Sequence, residues 1–459
     1  MWLVACGDST PSGNPPRISW AMTGARFRVL TDEVLSLVPD IENADEATTF
    51  RWTMNGATVG TENHFEFSSH EAGEYFIQLL VTNRFGQCED EVKVTVVESE
   101  GTTIPQLPPD DGQLRWAFPF TEINIPLGRD IEIAPSMVEN GTATRVVFQG
   151  NSLGDHRVPI QIYNDSVRRE VEVLVHVCPP AGTYRRSDKG RSMASEVFEY
   201  QPAPGHQVNG YIIIGDAFPP GCTHAQACDT VLAHFSRQWL VSLGGWGGYL
   251  VAGFDHSVPR TAKGSELCIK GNPYDYQSEP GIIWVSQDVN GDGLPNDLWY
   301  ELAGSEYGTD RHRTGYAITY FRPDQAHMGV AWKGSDGETD YIPYLSYWNP
   351  NDYYWQDWQM ERPTLTFCGS RLASNVSYSN GVSSLPPYEW GYADNLGSDY
   401  RNGSQGMMGY YSISNARTWD GKPAELAYID FVKVQSAITG HTPNLGEAST
   451  EVYCIMAPQ

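Results

Sequence analysis

Short apolar runs that alternate with polar residues recur along this 459-residue chain, and Gly or Pro closes many of them. Tyr75, Ile77, Leu79 and Val81 alternate in this way. So do Val92, Val94 and Val96, and again Val171, Val173, Val175 and Val177. A period of two sends successive side chains to opposite faces of a strand, so one face of each run can be buried. The 45 Gly and 30 Pro supply turns between strands and interrupt helices. The expected fold is therefore mainly β. A single helix is predicted, where Val231, Leu232, Phe235 and Trp239 make an apolar face between Thr230 and Leu240. Further strands are expected at residues 316–321 and 427–434.

Composition shifts divide the chain into five segments. Residues 1–14 read as a leader and polar tether, and 15–98 as a small Ig-like β-sandwich. Residues 99–113 are a linker that carries Pro105, Pro108, Pro109, Asp110 and Asp111. Residues 114–178 read as a second Ig-like sandwich, at about 65 residues short enough to lean on its neighbours. Residues 179–459 form a larger β-domain, jelly-roll-like with long loops, where ligand binding is expected. Its glycine-dense stretch Ser242–Tyr249 implies close backbone approach. No strand-to-helix context and no following Lys make that stretch a phosphate loop.

The charge narrows the partners. With 30 basic and 56 acidic residues the net charge is −26, which repels nucleic acid and anionic membrane surfaces. No run of eighteen apolar residues is present, so no membrane-spanning helix is expected. Leu3-Val4-Ala5-Cys6-Gly7 resembles a bacterial lipobox. That resemblance implies a lipid on Cys6 and anchorage by lipid alone, with Gly7 to Gly13 as a flexible tether. Five preceding residues are too few for a signal peptide's apolar region, so the start is expected to be trimmed. Seven more cysteines follow, and only Cys222 and Cys228 lie close enough in sequence to suggest a small loop disulfide.

One stretch carries metal-ligand spacing. Ile282-Ile283-Trp284-Val285 feeds a polar loop, Asp288 to Asp297, and Leu298-Trp299-Tyr300 follows. Asp288, Asn290 and Asp292 place oxygens at alternate positions before Gly293, as a loop does when it wraps calcium, and Leu294 would offer its carbonyl. The twelfth position, where a bidentate acid belongs, is Trp299, so Asn296, Asp297 or Glu301 would have to substitute. A structural Ca²⁺ is one reading. A hairpin using Asn-Gly, Asp-Gly and Pro for turn chemistry alone is the other.

Eleven Tyr and five Trp lie between Tyr341 and Trp419, out of 25 and 14 in the chain. They alternate with Asn, Pro and Gly rather than with strand periodicity. Rigid amphipathic rings beside amides suit a large ligand with apolar faces and polar edges. Trp355, Trp358, Trp390 and Tyr392 are the leading candidates, then Tyr353 and Tyr411, with Asn351 and Asn395 for polar edges. Some of these rings are expected to be core.

Residues 15–98, with Trp52 upstream of Glu71-Ala72-Gly73-Glu74-Tyr75, resemble the PKD modules of secreted bacterial proteins. In the large domain several segments recur in order: Val241 to Gly245 with Gly247-Gly248-Tyr249, Gly253 to Ser257, Ser278 to Gly281, Trp299 to Leu302 with Gly304 to Tyr307, Trp390 to Asn395, and Ile429 to Gln435. Together they resemble the cobalamin-binding surface lipoproteins of Bacteroidetes called BtuH. The resemblance implies an outer-membrane, cell-surface protein that binds cobalamin as ligand and hands it to a TonB-dependent transporter.

Other chemistry has weaker support. Asp310-Arg311-His312-Arg313-Thr314-Gly315 fits a D-x-H-x-x-G pattern that puts histidine on cobalt in certain enzymes, but a strand follows it here, not a helix. No G-x-S-x-G, H-E-x-x-H or S-x-x-K motif stands out in a context that suits a nucleophile and its base, so no catalytic residues are assigned. A glycan-binding lipoprotein is the alternative reading, and a glycoside hydrolase the third.

Overall fold

The computed structural model describes residues 13–20, 25–97, 105, 107–108, 114–117, 122–133, 137–139, 141–180, 184–186, 192–209, 218–346, 349, 351–403, 406–443 and 445–458. Cys6, most of its tether and most of the linker lie outside these, as do Tyr347 and Trp348. The fold is mainly β, with one α-helix among the described residues. It divides into two compact units, Met1–Gly101 with Ser377–Ser383, and Thr102–Val376 with Ser384–Gln459.

The first unit is an Ig-like sandwich. Its main sheet orders five strands: Arg26–Leu30, Gly86–Val97, Gly73–Asn83, Thr49–Met54 and Ala57–Gly60. The alternation read from Tyr75 to Val96 is the register of one hairpin, in which Ile77 faces Val92 and Tyr75 faces Val94. Inward residues Ile77, Leu79, Val81, Val92 and Val94 enclose Trp52, whose Nε1–H donates to the Glu62 carbonyl at 2.9 Å. Residues 377–383 join this unit by side chain. The Tyr378 hydroxyl donates to the Glu33 carboxylate at 2.8 Å, and Asn380 pairs with both the N–H and the carbonyl of Ser36 at 2.7 Å.

The second unit starts with a small β-module. Arg168–Cys178 pairs antiparallel with Gly154–Tyr163 and parallel with Glu122–Pro126. Ile123, Ile125, Ile160, Val173 and Val175 fill its core, and Leu298 from the large domain packs against them. That contact is the support a module this short requires.

The large domain is built in layers. Its central antiparallel sheet has six strands: Glu196–Gln201, Tyr249–Pro259, Tyr428–Ser436, Gly281–Ser286, Trp299–Leu302 and Ala416–Arg417. One face packs on a four-stranded sheet of Tyr400–Gly403, Gly406–Tyr411, Leu267–Lys270 and Cys454–Met456, sharing a core with Leu250, Ile283, Ile269 and Ile455. The other face meets a sheet of Thr339–Ile342, Val330–Gly334, His312–Phe321 and Thr364–Leu372. There Tyr249 packs edge-on to Phe367, and Gln435 Nε2 donates to the Cys368 carbonyl at 3.1 Å.

The helix begins earlier than its apolar face suggests, at His224–Arg237. Thr223 caps it: its hydroxyl accepts from the Gln226 N–H, and its own N–H donates to the Gln226 side chain at 2.9 Å. Trp239 lies beyond the left-handed Gln238 and is half exposed. Backbone approach explains the glycine-dense stretch, since a Cβ on Gly248 would meet the Leu243 carbonyl oxygen and one on Gly244 the Ala203 carbonyl oxygen. Cys222 and Cys228 are both thiols, so the expected bridge is not formed. Cys228 instead lies 3.7 Å from His224 Nε2.

Candidate functional site

A cleft of about 290 Å³ opens where two loops cross. One loop leaves the strand Trp299–Leu302 and the other holds Trp390 and Gly391. The Ser305 N–H donates to the Trp390 carbonyl at 2.9 Å, and the Ala303 N–H to the Asn415 carbonyl at 2.9 Å. Gly391 has φ +97°, and a Cβ there would run into the Gly304 backbone. Glycine at both positions thus permits the crossing. Two of the segments that carry the family resemblance, Trp299 to Leu302 and Trp390 to Asn395, therefore meet at this cleft.

The hairpin of Tyr400–Gly403 and Gly406–Tyr411 supplies the opposite wall. Arg401 lies over the Tyr410 ring at 4.2 Å and donates to the Ser265 hydroxyl at 3.0 Å. Asp399 Oδ2 accepts the Gly391 N–H at 2.7 Å, whereas its buried Oδ1 has no partner. Burial pushes the Asp399 carboxyl up. The cleft thus offers two aromatic faces, one guanidinium and several hydroxyls. Asp399 is the single carboxylate among its described lining residues, whereas glycoside hydrolysis uses two.

The eight residues of the aromatic belt do not form one surface. Trp390 and Tyr411 line the cleft. Tyr392 lies behind it, fully buried, with its hydroxyl accepting the Glu306 N–H at 3.0 Å. Trp355 is buried with Trp246 and Tyr320 in a separate core, its Nε1–H on the Arg362 carbonyl at 3.1 Å, and Tyr353 packs against the same core. Trp358 packs beside Tyr200 and Phe218. Asn395 is fully buried and holds a turn, exchanging bonds with the Tyr388 N–H at 2.8 Å and carbonyl at 2.9 Å. Asn351 is exposed and donates to the Asn209 carbonyl at 3.2 Å. His312 is enclosed, with Nε2 bonded to Glu301 at 2.7 Å, which leaves it no approach to a corrin.

In the acidic loop both Asp288 oxygens accept backbone N–H groups, from Gly291 at 2.7 Å and from Gly293 at 3.0 Å. Asn290 and Asp292 are exposed: Asn290 Oδ1 accepts the Asp292 N–H at 3.1 Å, and Asn290 and Asn296 Nδ2 donate to Asp292 at 2.8 and 3.0 Å. Leu294 is half exposed. Asp297 is buried.

Sequence reasoning missed a second acidic group. Glu279, Asp394 and Glu451 each bring one carboxylate oxygen within 4.8 Å of the others, close enough to share protons or a cation. Asp394 accepts from the Asn272 and Glu451 N–H groups, and Glu279 from the Ser449 N–H. Desolvation first, then mutual repulsion, pushes the Glu279 and Glu451 carboxyls up, and desolvation also raises that of Asp394. None of their atoms is among the described buried polar atoms that lack a partner. These residues lie far apart in sequence, so no motif marks them.

Residues 15–83 match the PKD-like domain family. No curated protein matches the chain. Among solved structures, the chain is similar to the N-terminal Ig1-2 module of the Drosophila receptor protein tyrosine phosphatase DLAR, at 11% identity and TM-score 0.16, covering 36% of this chain and 99% of that one. It is also similar to a titin Ig tandem, at 15% identity and TM-score 0.16, covering 36% and 98%. A third is the insect immune protein hemolin, at 16% identity and TM-score 0.17, covering 37% and 48%. None of these likenesses bears on what the chain binds.

Proposed function

We propose that the chain is a surface lipoprotein that captures a corrinoid without transforming it and passes it to an outer-membrane transporter. The observation that carries this reading is the meeting of two resemblance segments at an open, aromatic-walled cleft. Cobalamin is a broad macrocycle edged by amide arms, so its site needs flat apolar area and convergent polar groups. Trp390 and Tyr410 offer the rings. The Ser398 and Ser412 hydroxyls would meet amide groups, and Arg401 would donate to an amide carbonyl. A volume of about 290 Å³ takes one edge of such a ligand, with the rest standing outside the cleft. The lipid anchor at Cys6 and the transporter partner belong to the same proposal. Calorimetric titration with cyanocobalamin tests it: the wild type should bind and Trp390→Ala should bind far more weakly. Absence of binding at micromolar concentrations would remove the corrinoid.

The cleft's size favours a second reading, a glycan. A single sugar ring fits the volume, its face on Trp390 and its hydroxyls toward Asp399 and Arg401. A glycan array separates the two ligands directly.

A further inference from the structure

We propose that the Asp288–Asp297 loop holds a calcium ion, and that this ion ties the large domain to the small β-module through Asn124. The observation that points to a ligand is Asp297. It is 1% exposed, its Oδ1 accepts only a long bond from the Val289 N–H at 3.3 Å, and its Oδ2 has no partner. Asp288, Asp292 and Asp430 add like charge to its surroundings. Among the described residues Arg185 is the one cation bonded to any of these carboxylates, and it is committed to Asp430 at 3.1 Å. A buried carboxylate with an open oxygen near three others costs several kcal/mol unless a proton or a cation neutralises it. The oxygens on offer are the three carboxylates of Asp288, Asp292 and Asp297, amides and a backbone carbonyl at mixed positions. Calcium accepts such irregular oxygen sets, whereas magnesium demands near-octahedral geometry.

The loop's position gives the ion its consequence. Asn124 donates its N–H to the Asn296 carbonyl at 3.0 Å and its Nδ2–H to Asn296 Oδ1 at 2.7 Å. The loop is thus the seat on which the strand Glu122–Pro126 docks. Ordering the loop orders that docking, so ion removal should loosen the small module before the large domain melts.

The test uses terbium as the probe, since Trp299 closes the loop and can sensitise its luminescence. Full-length protein should give terbium emission on excitation of Trp, and added calcium should displace it. Asp288→Asn with Asp292→Asn should weaken terbium binding about tenfold or more, by loss of two charged ligands. Glu279→Gln, in the separate acidic trio, should leave it unchanged. Limited proteolysis should cut within residues 114–178 faster in chelator than in calcium. Asp297→Asn separates ion from turn by sign: in chelator it should raise the melting temperature by removing an unpaired charge, and in calcium it should lower it. Terbium emission that survives the loop double variant but vanishes in Glu279→Gln would overturn the assignment. So would a melting temperature and a proteolysis pattern indifferent to calcium.

Discussion

The Tyr411 hydroxyl donates to the Tyr392 carbonyl at 2.8 Å, and this one bond joins the cleft wall to the core behind it. Tyr411 is buried and lines the cleft with its ring, while Tyr392 is sealed beneath. Tyr411→Phe keeps the ring and strands the carbonyl. Leaving a buried acceptor unsatisfied costs about 1–3 kcal/mol. Denaturant unfolding should register that loss, and ligand affinity should change little. A large affinity loss at unchanged stability would instead put the hydroxyl in direct contact with ligand.

Gly304 is fixed by Tyr392 as well. A Cβ there would lie 2.5 Å from the Tyr392 Cζ and 2.8 Å from two further ring carbons. The ring cannot retreat, because its hydroxyl is bound to the Glu306 N–H and its edge packs on Tyr388. Gly304→Ala should therefore destabilise the fold by about 1–3 kcal/mol, the range for an overfilled core. An unchanged unfolding midpoint would mean that the two loops slide past each other freely.

How far the sequence carried can be read from the same residues. Alternation at Ile77 to Val96 and Val171 to Val177 gave both small sandwiches because each strand buries one face, and burial is what a period of two records. The belt was harder. Trp355 and Trp390 look alike in sequence, both aromatic amid loop residues, yet one is buried in the core that holds Trp246 and Tyr320 and the other opens on a cleft. Density of rings does not say which way a loop folds. Arg401 and Asp399 carry no sequence signal because each acts with a residue outside its own hairpin, Ser265 and Gly391. The trio of Glu279, Asp394 and Glu451 had no local pattern at all.

Those two tryptophans make an opposed pair of predictions. Trp355→Ala empties a buried site and should cost about 3–5 kcal/mol of stability, the usual loss for a large aromatic core side chain. Trp390→Ala should spare stability and cost on the order of 2–4 kcal/mol in binding, as an aromatic anchor does. That is roughly thirty- to a thousand-fold in affinity. Melting and titration on both variants check the contrast. If Trp390→Ala binds cyanocobalamin and glycans like the wild type, the cleft is not the site.

The acidic trio makes stability depend on pH in a direction opposite to ordinary acid denaturation. Burial and repulsion raise the Glu279 carboxyl from 4.5 to about 8 and burial raises that of Asp394 from 3.8 to about 7. Glu447 adds to the repulsion on Glu279 and is itself paired with His206. Between the ordinary and the raised values the native state holds protons that the unfolded chain has released. Stability from these groups is therefore complete below about pH 4 and lost as pH rises toward 8. Carboxyls held low, such as Asp336 and Asp340, act the other way and only in acid. His224, raised to about 10 by its bonds to Cys228 and Glu199, also favours the native state until the pH passes that value. Glu279→Gln isolates the trio, because His224 titrates alike in both proteins. The wild type should melt lower at pH 8 than at pH 5, and the variant should show a shallower fall and a higher melting temperature at pH 8. Parallel curves for the two proteins across this range would mean that the trio keeps no extra proton in the native state.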